Sequence, residues 1–184
     1  MKRGFQTDET IVTVKNIITD HIKNLENRFI YHLVVTYKRR ADVTYSQEDV
    51  NSFFNAFYLD GLLPYLVANR QPRSDTLPIC YAFLDDHTTE SLRSDNTIRY
   101  ARMNNIWNRL HHHAVLVVHS DYKDRIDSLI DPRTHEGVNT IPKEFCSKVL
   151  TTYIHQSDPE IIHQASKRLN RYQDFLTFPD MSIR

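Results

Sequence analysis

The residue pattern of this chain predicts an α+β fold: a ferredoxin-like sandwich in which helices pack on a central antiparallel sheet. Three observations support that expectation. The apolar pattern switches between helical and strand-like in the order helix, strand, helix, strand, strand, helices. From the first strand onward, this order fits the βαββα part of a ferredoxin-like sandwich. With 184 residues, 40% of them hydrophobic and 25% charged, and no tract resembling a linker, the chain is expected to build one domain around one core. A fourth strand is not evident; only the LTFP stretch near the C-terminus (Leu176–Pro179) offers one.

Each element has its own signal. Over residues 10–27, Ile11, Val14, Ile17, Ile18, Ile22 and Leu25 fall near helical spacing and predict an amphipathic helix. The run FIYHLVVTYKRR, Phe29 to Arg40, is rich in β-branched and aromatic residues and reads as a strand ending in three cations. Ser46, followed by Glu48 and Asp49, is a helix start. That helix is expected to reach about Asn69 and to bury Phe53, Phe54, Phe57, Leu62, Leu63 and Leu66, with Gly61 and Pro64 kinking or interrupting it. After a polar turn, LPICYAFLDD is a second strand, and His87 to Asn108 is an exposed connection. A histidine-led strand comes next, then a short helix over Asp121–Ile130 and a loop to Thr140. Pro142 suits the first turn of a helix running to about Gln156, and Ser157-Asp158-Pro159 starts a last helix reaching about Phe175. The resulting division is an N-terminal helix over 1–28, a core over 29–156 and a C-terminal helix and tail over 157–184.

Composition excludes several classes of function. Formal net charge is zero, so any surface for nucleic acid must be a local patch. Gly4, Gly61 and Gly137 stand alone, which rules out a phosphate-cradling glycine loop or a dinucleotide fingerprint. Cys80 and Cys146 are too few for a disulfide framework or a thiolate zinc site. There is no apolar run long enough to span a bilayer and no signal-peptide core, so a cytoplasmic protein without a membrane partner is expected.

The segment RLHHHAVLVVH, Arg109 to His119, carries most of the chemical information. Side chains alternate along a strand, so His111 and His113 share a face while His112 points the other way with Ala114, Leu116 and Val118. Two imidazoles two residues apart make a seat for a divalent cation. The plainer alternative is a half-exposed polar strand end. His112 is expected to be structural, with a hydrogen-bond partner in the core. His119 shares the His111 face but, at about 3.3 Å per residue, lies too far along the strand to join a site. A hard-oxygen ligand suited to Mg²⁺ or Mn²⁺ is expected from Asp85, Asp86 or His87's neighbourhood at the end of the second strand. Alternation groups Asp85 with His87 and separates Asp86. Asp85 is favoured, with Asp86 and His87 as alternates, against the reading of a solvated turn.

Taken together, HLVVTYK (His32–Lys38) and LHHHAVLVV (Leu110–Val118), separated by a long helix and an acidic-ended strand, resemble the HUH endonuclease superfamily of rolling-circle replication initiators, relaxases and single-tyrosine transposases. Over roughly Phe29–Gln156 the pattern is most similar to small phage- or plasmid-type replication proteins. The resemblance implies a metal ion on His111, His113 and Asp85, and a nucleophilic tyrosine on a later helix. Tyr153 in LTTYIHQ has the matching spacing, and Tyr172, beside Arg168 and Arg171, is second choice. Two positions depart from the pattern: His112 stands where the family has an aliphatic residue, and Gln156 where its helix often has lysine. Tyr153 also admits a packing role, since Phe145, Val149 and Tyr153 recur every four residues.

The implied activity is metal-dependent nicking and strand transfer on single-stranded or origin DNA through a phosphotyrosine intermediate, initiating rolling-circle replication, with a host helicase and polymerase as further partners. Tyr37, Lys38, Arg39 and Arg40 are candidates for base stacking and phosphate contact, and Lys167, Arg168 and Arg171 form a second basic group. Competing readings are a catalytically inactive nucleic-acid-binding module of the same fold and a two-histidine, one-carboxylate metal hydrolase or oxygenase.

Overall fold

A computed structural model describes residues 27–38, 43, 45–68, 75–86, 107–129, 145–156 and 175–178, together with 12, 13, 16, 18–20 and 22 of the N-terminal segment. Among the described residues, five strands form one antiparallel sheet: β1 (Arg28–Lys38), β2 (Ile79–Asp86), β3 (Trp107–His119), β4 (Val149–Gln156) and β5 (Phe175–Phe178), in the order β4-β1-β3-β2-β5. Between β1 and β2 lie α1 (Gln47–Asn55), a π-helical stretch (Ala56–Leu62) and α2 (Leu63–Val67); α3 (Ser120–Ser128) follows β3. The first four strands thus have the connectivity and order of a ferredoxin-like sandwich, and β5 is added at the edge beside β2.

Sheet position explains the sequence of β3. Val115–Val118 form a continuous apolar run because β3 is the central strand and both its faces are covered, with each of these residues fully buried. One face carries Tyr31, Leu33, Val35, Tyr37, Cys80, Leu84, Leu116 and Val118 against Val50, Phe54, Phe57, Leu62 and Leu66 of the helices. Burying each large apolar side chain here contributes about 1.5–3 kcal/mol. On the other face Ile30, Ile79, Tyr81, Phe83, Val115 and Val117 pack with Ile18, which belongs to the described helical residues near the N-terminus.

The helix start at Ser46 is a full capping box: the Asp49 amide donates to the Ser46 hydroxyl, and the Ser46 amide donates to the Asp49 carboxylate. The Ser46 amide and hydroxyl, both in hydrogen bonds to the Asp49 carboxylate, pull that carboxyl below its usual range. The anticipated interruption around Gly61 and Pro64 takes the form of the π-helical stretch, after which Pro64 sits in the first turn of α2. Gly61 has a second role. A β-carbon there would meet Cβ and the carbonyl oxygen of Phe145 at 2.9 Å, so only glycine lets this helical turn lie against the chain leading into β4. Gly61→Ala is expected to destabilise the fold by about 1–3 kcal/mol, read from the urea midpoint. An unchanged midpoint would mean that the Phe145 segment yields without penalty.

Two expectations about the C-terminal third are corrected. The predicted helix from Pro142 to Gln156 is, over Val149–Gln156, strand β4, paired along β1 from Tyr31↔Gln156 to Tyr37↔Val149. VLTTYI is dense in β-branched and aromatic residues, and pairing with β1 prevails over the coincidental four-residue recurrence of Phe145, Val149 and Tyr153. The fourth strand of the sandwich is therefore β4 and not the LTFP stretch, whose Leu176–Phe178 belong instead to the added edge strand β5. Apart from Phe175, the predicted helix over Ser157–Phe175 lies outside the described residues. Among those residues, no helix is long and apolar enough to cross a membrane.

Candidate metal centre

The site is assembled by register. Asp85 of β2 pairs directly with His111 of β3, and Phe83 with His113, so the three polar residues lie on one sheet face. On the other side of β3, Thr36 pairs with His111 and Val34 with His113. The β1 ladder shifts register immediately beyond Thr36 toward both neighbouring strands, a bulge at the edge of the site.

Asp85, His111 and His113 are all buried, at 3%, 1% and 5% exposure, and can hold a metal ion. Nε2 of His111 lies 3.0 Å from Nε2 of His113. Oδ2 of Asp85 is 3.8 Å from the first and 3.7 Å from the second, beyond hydrogen-bond length. A triangle with these sides has all three corners about 2.0 Å from one central point, an ordinary bond length from a divalent cation to imidazole nitrogen or carboxylate oxygen. An ionised carboxylate is costly to bury without an opposite charge beside it, which a bound cation would supply.

His113 has a second partner that the sequence reading missed. Its Nδ1 lies 3.3 Å from Nε2 of His32 on β1, and the rings are stacked with centroids 5.4 Å apart and planes within 13°. No spacing rule links residue 32 to residue 113. Only the pairing of β1 with β3, His32↔Val115 and Val34↔His113, makes them diagonal neighbours.

His112 faces the helices, as alternation requires. With the ring neutral, the Tyr37 hydroxyl donates to Nδ1 at 2.6 Å and Nε2–H donates to the Asn51 amide oxygen at 3.0 Å. The Phe54 ring packs 4.6 Å from it. Burial lowers the His112 pKa to about 3. His112 therefore pins β3 to α1 at the residue between the two donors.

The remaining candidates distribute as follows. Asp86 pairs with Leu110, placing position 86 on the opposite face from the cluster, which decides between the two aspartates. Tyr37 is corrected: it is fully buried against His112 and Phe53, so it offers no surface for base stacking. Lys38 is exposed at the end of β1. His119 accepts a hydrogen bond from the Asp121 amide as the cap of α3, apart from the cluster. Tyr153 lies on β4 and not on a helix; through Val34 its position is in register with His113. His87, Arg39, Arg40, Lys167, Arg168, Arg171 and Tyr172 lie outside the described residues. No protein-family model, curated protein or solved structure matches this chain.

Proposed function

We propose that this protein is a metal-dependent DNA-nicking and strand-transfer enzyme that uses a tyrosine nucleophile on single-stranded DNA. The observation that carries this reading is the buried cluster of Asp85, His111 and His113 on neighbouring strands of an antiparallel sheet in ferredoxin-like order. Mg²⁺ or Mn²⁺ suits the carboxylate and leaves coordination positions for phosphate oxygens. When bound, the ion would polarise the scissile phosphate and stabilise charge on its non-bridging oxygens.

The chain's own residues supply the rest. A tyrosine oxygen, losing its proton, attacks phosphorus; the bond from phosphorus to the 3′-oxygen breaks, and that oxygen leaves as a protonated 3′-hydroxyl. The ester formed can be attacked later by another 3′-hydroxyl, so strands rejoin without a nucleotide cofactor. Support for Tyr153 comes from its register with His113 two strands away, about 10 Å between backbones. Tyr172 is supported by connectivity: it precedes Phe175 by three residues, and Phe175 pairs with Phe83, two residues from Asp85. Lys38, exposed at the same end of β1 as Thr36, is our candidate for a backbone-phosphate contact.

The test is an adduct assay with a labelled pool of random-sequence single-stranded DNA in Mn²⁺. A denaturation-resistant protein–DNA species is expected, absent from H111A and H113A, and lost in either Y153F or Y172F. An adduct persisting in the Y153F/Y172F double variant overturns the tyrosine assignment. DNA binding with no adduct at all from the unmodified protein favours the inactive binding module instead. Tightly held zinc or ferrous iron, which the same donor set also accepts, would favour a hydrolase or oxygenase.

A further inference from the structure

We infer that His32 is a positioning residue of the metal centre, fixing the tautomer and ring plane of His113; this rests on Asp85, His111 and His113 holding a cation. To donate a lone pair to a cation, Nε2 of His113 must be unprotonated, because this is the nitrogen facing His111 and Asp85. The ring proton of neutral His113 is then on Nδ1, which faces Nε2 of His32 at 3.3 Å. Nδ1–H of His113 donates to Nε2 of His32, and the His32 proton resides on its own Nδ1. The cation-competent state of His113 is thus the state that His32, with its own proton on Nδ1, accepts from; with His32 in that form, the opposite tautomer of His113 leaves two lone pairs facing each other.

Ring geometry strengthens the assignment. The stacked rings, 13° from parallel, restrict rotation of the His113 imidazole about its side-chain torsion. His32 is half-buried and sits on β1, which pairs with β3 from Arg28↔His119 to Lys38↔Trp107, so its backbone is held by the same ladder that carries the donors. Such partners behind a metal-bound imidazole commonly change affinity by about 10–100-fold.

Two substitutions separate hydrogen bond from ring. His32→Phe keeps a flat ring for stacking and removes the acceptor; His32→Gln offers an amide oxygen to Nδ1–H and removes the ring. Mn²⁺ affinity, measured on the full chain from the electron paramagnetic resonance of free ion, is expected to fall about 10–100-fold in H32F and to stay within about threefold of the original in H32Q. Equal affinity in H32F and the unmodified protein, or an equal loss in both variants, overturns the inference while leaving the metal centre intact. Should H32F fail to fold, a 10–100-fold loss in a folded H32Q overturns it alone, and retained affinity there supports it. Failure of the underlying reading has a different signature: Mn²⁺ binding in the unmodified protein that is absent, or that is unchanged in H113A.

Discussion

Replacing His111 or His113 with alanine is expected to lower Mn²⁺ affinity by more than about 100-fold, since partners one bond further from an ion are already worth about 10–100-fold. Each change deletes one of three donors whose spacing leaves room for a single cation. Asp85→Asn tests the electrostatic part: it keeps the shape of the side chain and removes the charge, so affinity should fall while the apo fold is retained. The companion measurement is thermal unfolding. An ion bound only by the folded state stabilises it by about 2.7 kcal/mol when present at 100 times its dissociation constant. The unmodified protein should therefore melt higher in Mn²⁺ than in chelator, and the H111A, H113A and D85N variants should not. An equal shift in all four proteins would place the ion elsewhere and remove the basis of the proposed chemistry.

The second large effect concerns His112. His112→Ala is expected to cost about 3–5 kcal/mol, combining a cavity beside Phe54 with loss of the acceptor for the buried Tyr37 hydroxyl. The same residue gives stability a pH dependence. In the folded protein its pKa is lowered to about 3 by burial, whereas the unfolded chain titrates near the ordinary imidazole value of 6.5. Above the unfolded pKa both states are neutral and the full stability is present. Between about 6.5 and 3 the unfolded state takes up a proton that the folded state refuses, so stability falls as pH falls. One such proton corresponds to a slope of about 1.4 kcal/mol per pH unit. Urea unfolding of the unmodified protein and of H112Q, compared from pH 7 to pH 4, should show that difference in slope. Parallel curves would mean that His112 gains a proton in the folded state as well.

The sequence made the paired imidazoles legible because strand alternation is local: His111, His112 and His113 sort to two faces with no knowledge of the rest of the fold. The ambiguity between Asp85 and Asp86 was of another kind, since it depended on the phase of β2 against β3, which only the pairing Asp85↔His111 resolves. His32 was invisible for the same reason, being brought to His113 by a ladder between segments eighty residues apart. Tyr37 misled because an aromatic next to cations reads the same whether it points to solvent or, as here, into the helix-facing core. The β4 error came from taking a four-residue recurrence as helical in a segment whose β-branched content already favoured extended chain. Capping by Ser46, the interruption near Gly61 and the short helix after His119 were readable, because each rests on chemistry within a few neighbouring residues.

The placement of β5 has a consequence for how the centre would capture an ion. Added outside β2, it pairs with Cys80–Phe83 and so flanks β2 up to two residues before Asp85, while β3 has a neighbour on each side at His111 and His113. The backbones that carry His111 and His113, and the approach to Asp85, are thereby held by sheet pairing. Loading should then require little loss of chain entropy, so occupancy would be governed by desolvation of the incoming ion and not by rearrangement of its host.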